Sequence, residues 1–244
     1  MLKFPANAQP VFSSRSYASP EMVPHALGTR GEDRFGRQYR FCKVASGAAL
    51  VAGNCIQGQA EITAHQALTP ANAAIGDKSI TVTPGATAGA ADLYADGIAV
   101  IDTTPGEGYA YPIKGHLAIT ASVAFVLNLA PGWPVQVALT AAGSKVNLYP
   151  NPYRNVIQSP VTTASGPTAG VAPFPIAASE YGWLGVNGPF GTLITGTPAI
   201  GAQVTSVGAV AGAAAIMSST LPLIGTMMEL GVDTKIQGVR WTLP

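Results

Sequence analysis

The 244-residue chain carries 10% charged residues, against roughly 25% in an ordinary soluble domain, and 48% apolar ones. That apolar content excludes a disordered chain, and a net charge of +1 excludes the broad phosphate footprint of a nucleic-acid binder. So few charges leave a lone monomer poorly solvated, so copies of the chain or a partner are expected to cover much of its surface.

Residues 1–38 read as an extended N-terminal arm. Pro5, Pro10, Pro20 and Pro24 forbid a long helix, and little alternation marks a strand. Residues 1–43 hold seven of the 13 Lys and Arg with only Glu21, Glu32 and Asp33 against them. Two readings of this basic head stand, a solvated arm and an arm that docks on an acidic protein surface. Nucleic acid is the weakest reading, because four arginines without an aromatic platform make a poor phosphate site. The docking reading makes Arg15, Arg30, Arg34 and Arg37 the candidate contact residues. The opening "MLKFPANAQP" lacks the apolar stretch of a secretory signal, and assembly in the cytoplasm is expected.

"RQYRFCKV" (37–44) alternates, with Tyr39 and Phe41 on one side and Arg40 and Lys43 largely on the other, and predicts a half-buried strand. "GAALVAGNCIQ" (47–57) predicts a second. Cys42 and Cys55, 13 residues apart, read as buried reduced thiols rather than a disulfide. With His25, His65 and His116 scattered, they make no metal spacing.

Short β-rich runs between Gly and Pro punctuation follow: "SITVT" (79–83), "IAVID" (98–102), "YAYPIK" (109–114), "LAITASVAFVLNL" (117–129), "VQVAL" (135–139), "KVNLY" (145–149) and "NVIQ" (155–158). Towards the C-terminus come "TLIT" (192–195), "QVTSV" (203–207), "LIGTMMEL" (223–230) and "KIQGVRWTL" (235–243). In the last, Val239, Trp241 and Leu243 share a face. The Ala-rich pieces 62–74 and 209–217 are the only helical candidates, and Pro70 and Gly212 undermine them. The spacing predicts an all-β protein of sandwiches or barrels. Residues 181–228 hold no charge, yet their Gly and Pro break every apolar run long before membrane-spanning length.

The stretch "DLYADGIAVIDTTPGEGYAYPIKGH" (92–116) concentrates acids, glycines and a histidine. Its "TPGEG" precedes a strand with Pro112 inside it, not a helix, so it is no phosphate cradle. It reads as strand, tight turn and strand. No G-x-S-x-G elbow occurs, and nothing selects a carboxylate pair among the acids. The aromatic sets "NPYRN" and "SEYGWLG" read as core or interface sooner than as a sugar-binding face. No catalytic residue, cofactor or metal site is expected.

Several stretches, taken in order, resemble the capsid decoration (cement) proteins of tailed bacteriophages. They are "LGTRGEDRFGRQYRFCKVASGAALVAGNCIQ" (27–57), the 92–116 stretch, "VNLYPNPYRNVIQSP" (146–160), "EYGWLGVNGPFGTLI" (180–194), "AIGAQV" (199–204) and "LPLIGTMMELGVDTKIQGVRWTLP" (221–244). Together they cover somewhat over half of the chain, and their order and spacing carry the likeness. The resemblance implies a homotrimer of two small β-barrel or β-sandwich modules behind an extended arm. It implies a structural role in the virion: binding the outer surface of the major capsid protein lattice, with no nucleic acid, no membrane and no catalytic residue. It further implies that 39–60 and 180–244 build one discontinuous barrel, with 61–179 as an inserted β module. A different β-rich virion component, such as a fibre, tail or host-glycan-binding module, is the alternative. A sugar binder exposes aromatic groups in a groove, whereas a cement protein buries them in its core or trimer interface.

Overall fold

A computed structural model describes residues 25–218 and 221–244, together with the backbone of 8–10. The chain is nearly all-β and divides into two compact units, residues 1–60 with 152–244, and residues 61–151. In the first unit lie β1 (Ala8–Pro10), β2 (Arg30–Glu32), β3 (Gln38–Lys43) and β4 (Cys55–Gln57). The second contributes β5 (Thr69–Pro70), β6 (Ser79–Thr83), β7 (Ile98–Ile101), β8 (Ala110–Gly115), β9 (Phe125–Leu129) and β10 (Val146–Tyr149). The chain then returns to the first unit with β11 (Ile157–Gln158), β12 (Thr168–Val171), β13 (Tyr181–Ile194), β14 (Gln203–Thr205), β15 (Ala215–Ile216), β16 (Leu223–Met227) and β17 (Lys235–Thr242).

The first unit is organised around β13, which pairs antiparallel with β3 along its first half and with β17 along its second. The sheet runs β1-β2-β3-β13-β17-β16-β14-β15, and β12 branches from β13 and carries β4 and then β11. Ala214, just before β15, bridges Ile194 at the end of β13 and so brings the sheet back on itself. Alternation on β17 turns Val239 and Trp241 into the closed space, where they meet Phe190, Ile194, Ile224 and Met227. The indole Nε1–H of Trp241 donates to Thr192 Oγ1 at 2.9 Å, which satisfies both buried polar groups. A second cluster around Val44, Leu50, Ile56, Val156 and Leu184 fills the space beside β4 and β12.

The second unit runs β10-β7-β8-β9-β6-β5. Its ends also approach: Leu68 and Val146 exchange both backbone hydrogen bonds at 2.9 Å. β9 alternates strictly, with Phe125, Leu127 and Leu129 inward and Val126 and Asn128 outward. The 92–116 stretch forms the expected strand, turn and strand, with Ile98 opposite Pro112 and positive φ at Gly106 (94°) and Gly108 (86°).

Several expected elements are shorter or placed differently. The arm expected over 1–38 does not extend that far: β2 pairs with β3 and, in parallel, with β1, and His25 packs edge-on to Phe41 and Trp183. A three-residue strand with Gly31 at its centre carries no alternation to read. The remainder of the arm, Arg15 included, lies outside the described residues. The insert expected to end at 179 ends at Asn151, because β11 and β12 pair with β4 and β12 also with β13. Of the strand expected at 47–57 only Cys55–Gln57 forms, and 135–139 contributes a single bridge, Leu139 with Ala73. Conversely, the first three residues of "TLIT" are the tail of the 14-residue β13, whose glycines and Pro189 conceal it. Pro189 is tolerated beyond the last register pair with β3, Asn187 with Gln38.

Candidate functional site

Of the candidate arginines, Arg30, Arg34 and Arg37 lie on one hairpin of the first unit. Between β2 and β3 the chain reads Asp33-Arg34-Phe35-Gly36, and Gly36 N–H donates to Asp33 O at 3.1 Å. Asp at the first and Gly at the last position are what this turn favours, and Gly36 takes φ 76° as the chain re-enters the strand. Asp33 is the hub. Its carboxylate accepts from the Phe35 N–H at 2.9 Å, the Arg37 N–H at 3.0 Å, Arg37 Nε at 2.7 Å and the Tyr39 hydroxyl at 3.1 Å. Burial raises its pKa, yet the hydrogen bonds from Arg37, Phe35 and Tyr39 outweigh that and hold the carboxyl below the usual range. Burial pushes the Tyr39 hydroxyl up, so it remains a donor.

The hub is carried by the core. The guanidinium of Arg37 lies 5.4 Å from the centre of the Phe190 ring, and Phe190 stands edge-on to Tyr39 at 5.4 Å. Phe190 in turn lies over Gly185, where a Cβ would come within 2.6 Å of the ring. The glycine of β13 therefore makes room for the aromatic that seats the hairpin.

This arrangement divides the arginines by role. Arg37 is committed to Asp33 in an ion pair and works as a strut. Arg30, on β2, reaches Gln38 Oε1 at 3.1 Å and stands opposite Arg40. Arg34 lies at the tip, its guanidinium 4.6 Å from the centre of the Phe35 ring, and Phe35 is 69% exposed. The tip thus displays a cation stacked on an aromatic face, and residues 30–40 hold four arginines against Glu32 and Asp33. Phe35 was not singled out by charge; the turn signature "DRFG" is the signal that locates it.

The same unit bears a second exposed feature. Ile216, Leu223, Met228, Leu230 and Ile236 are solvent-exposed on β15, β16 and β17 and the connection between the last two. Apolar exposure of this kind marks surfaces that associate.

The two cysteines and two of the three histidines are enclosed. Cys42 and Cys55 are free, fully buried thiols whose pKa values burial pushes up. His65 is buried with Nε2–H donating to Thr87 O at 2.9 Å, so Nδ1 accepts from the Tyr94 hydroxyl at 2.7 Å. His116 Nε2 accepts from Tyr94 N–H at 3.1 Å, and Nδ1–H donates to Leu117 O at 2.6 Å. Among the described residues, no group of three or more His, Cys, Asp or Glu is placed to hold a metal ion, and no helix is long and apolar enough to cross a membrane. No protein-family model, curated protein or solved structure matches the chain.

Proposed function

We propose that this chain is a structural protein of a virion, decorating and stabilising the icosahedral head of a tailed bacteriophage by binding the outer surface of its major capsid protein lattice. The observation that carries the reading is a pair of exposed features on the first unit: the Arg34–Phe35 hairpin tip and the exposed apolar side chains of β15, β16 and β17. It is supported by the resemblance of the ordered segments between residues 27 and 244 to decoration proteins. In this reading β15 to β17 join copies into a homotrimer, because closed cyclic symmetry hides apolar surface without open-ended growth. The hairpin then meets carboxylates of the lattice. The reading assigns the chain no reaction and no cofactor.

Cryo-EM of virions produced from the genome that encodes the chain tests it. Density for both units outside the head shell, around points of local three-fold symmetry, is the expected result. Density confined to the tail or fibres, or none on the particle, overturns it.

A further inference from the structure

The second unit holds an open cleft of about 980 Å³ whose lining includes Lys78, Asp92, Lys114, Leu117, Asn128 and Trp133. This volume lies at the upper end of what small-ligand sites occupy, roughly 300–1,000 Å³. Three features show a built surface. Trp133 closes the turn Ala130-Pro131-Gly132-Trp133: its N–H donates to Ala130 O at 3.1 Å, and Gly132 takes φ 85°. Proline second and a left-handed glycine third define a type II turn, which fixes the backbone that presents the indole. Trp133 is 54% exposed, whereas Trp183 and Trp241 are 2% and 0% exposed. Second, β8 carries an extra residue against β9, since Ile113 pairs with Leu129 and Gly115 with Asn128. This bulge at Lys114 keeps both Ile113 and His116 in the core while Lys114 stays exposed at the cleft. Third, among the described residues neither Lys78 nor Lys114 has an ion-pair or side-chain hydrogen-bond partner, although both line the cleft.

The chemistry of the lining selects a ligand. Two unclaimed ammonium groups favour an anion. Asp92 accepts from His116 N–H through Oδ1 at 3.0 Å, and Asn128 donates through Nδ2 to Gly115 O at 3.3 Å. Asp92 Oδ2 and Asn128 Oδ1 remain as acceptors, which demand donors on the ligand. The Asp92 charge opposes a phosphate dianion. A ligand with one negative charge per ring, several hydroxyl donors and a flat apolar face meets all three demands.

We propose that this cleft binds an acidic carbohydrate of the uronic-acid class. The indole of Trp133 covers the apolar face of a pyranose ring, Lys78 and Lys114 meet its carboxylate, and Asp92 and Asn128 accept from its hydroxyls. The site does not depend on the virion reading above, and neither outcome of that test bears on it.

The test is titration of the full-length protein with a trimer of galacturonate, with a glucuronate-containing oligosaccharide, and with maltotriose as the neutral control. Intrinsic fluorescence reports binding through the exposed Trp133, and calorimetry confirms it. Saturable binding of an acidic trimer is expected, about tenfold or more tighter than maltotriose. Trp133→Ala should abolish it, and the double variant Lys78→Gln, Lys114→Gln should weaken it about tenfold and flatten its salt dependence. Both variants alter exposed side chains, and an unchanged thermal midpoint checks that they fold. Should Trp133→Ala fail to fold, the lysine variant alone decides. No saturable binding of either acidic oligosaccharide below about 10 mM overturns the proposal. So does binding indifferent to the lysine substitutions, or equal saturation by tetraglutamate or ATP.

Discussion

The two units place their tryptophans oppositely. In the first, built from segments on both sides of a 91-residue insert (61 to 151), Trp183 and Trp241 are sealed in the core, and among the described residues Phe35 is displayed on a hairpin tip under an arginine. In the second, a single contiguous stretch, tyrosines 94 and 111 fill the core with two buried histidines near them, and the one tryptophan stands at the rim of a cleft. The first unit thus carries its displayed aromatic on a hairpin tip, and the second carries its tryptophan in a cleft. Separate cores allow this division, because each surface can change without repacking the other unit's interior.

The largest expected effect tests whether the cores are separate. Trp241→Ala removes a fully buried indole and leaves Thr192 without its partner. It should cost the first unit about 3–5 kcal/mol. Native-state hydrogen exchange should show residues 152–244 losing protection while 61–151 keep theirs. Equal loss in both would show a single cooperative body and end the comparison. The reciprocal change, Leu127→Ala, empties the centre of the second unit's cluster and should cost about 2–5 kcal/mol, confined to 61–151.

A smaller effect concerns the hairpin hub. Asp33→Asn leaves one carbonyl acceptor where a carboxylate served four donors, and should cost about 1–2 kcal/mol. The pH dependence has a definite sign. Because the folded pKa is lowered, the stabilisation is present above the ordinary value of 3.8 and is lost as pH falls below it, through the folded value. Chemical denaturation of the native chain between pH 5 and about pH 2 should therefore carry a slope that Asp33→Asn lacks. Identical slopes in the two proteins would remove Asp33 as the hub.

How much of this was legible in the sequence follows from how local each cause is. β6, β7, β8 and β17 stand in the residue pattern almost at their observed bounds, because alternation and flanking Gly or Pro are written into the strand itself. β2 and β12 are three and four residues long and exist through partners far away in sequence, so no local signal announces them, and the run at 155–158 that becomes β11 gives no sign that its partner is β4. That is why residues 152–179 were assigned to the insert. β13 was concealed for the opposite reason: its glycines serve close packing, as under the Phe190 ring, and read as punctuation. Charge counting drew attention to Arg30, Arg34 and Arg37, but it could not separate the strut Arg37 from the displayed Arg34, since the difference is one ion pair. The cleft was missed altogether. "APGWP" spells its type II turn, yet Lys78, Lys114 and Trp133 meet only through the order β8-β9-β6.

The smallest change in stability carries the sharpest functional contrast. Phe35 is 69% exposed, and among the described residues its one ring partner is the Arg34 guanidinium. Replacing it with Ser removes no core contact and should alter unfolding free energy by no more than about 0.5 kcal/mol. If the hairpin is an anchor on the capsid lattice, however, an exposed aromatic stacked with arginine is the kind of residue whose loss dominates binding, and retention on heads should weaken about tenfold or more. Arg34→Glu should weaken retention further and invert its response to salt, because added ions then screen repulsion in place of attraction. Neither substitution touches the second unit, so binding of the acidic trimer should be unchanged in both. Trp133→Ala should give the mirror result, with heads decorated normally and the saccharide lost. A loss of both functions in either variant would mean that the two surfaces do not act independently, whatever the separation of their cores.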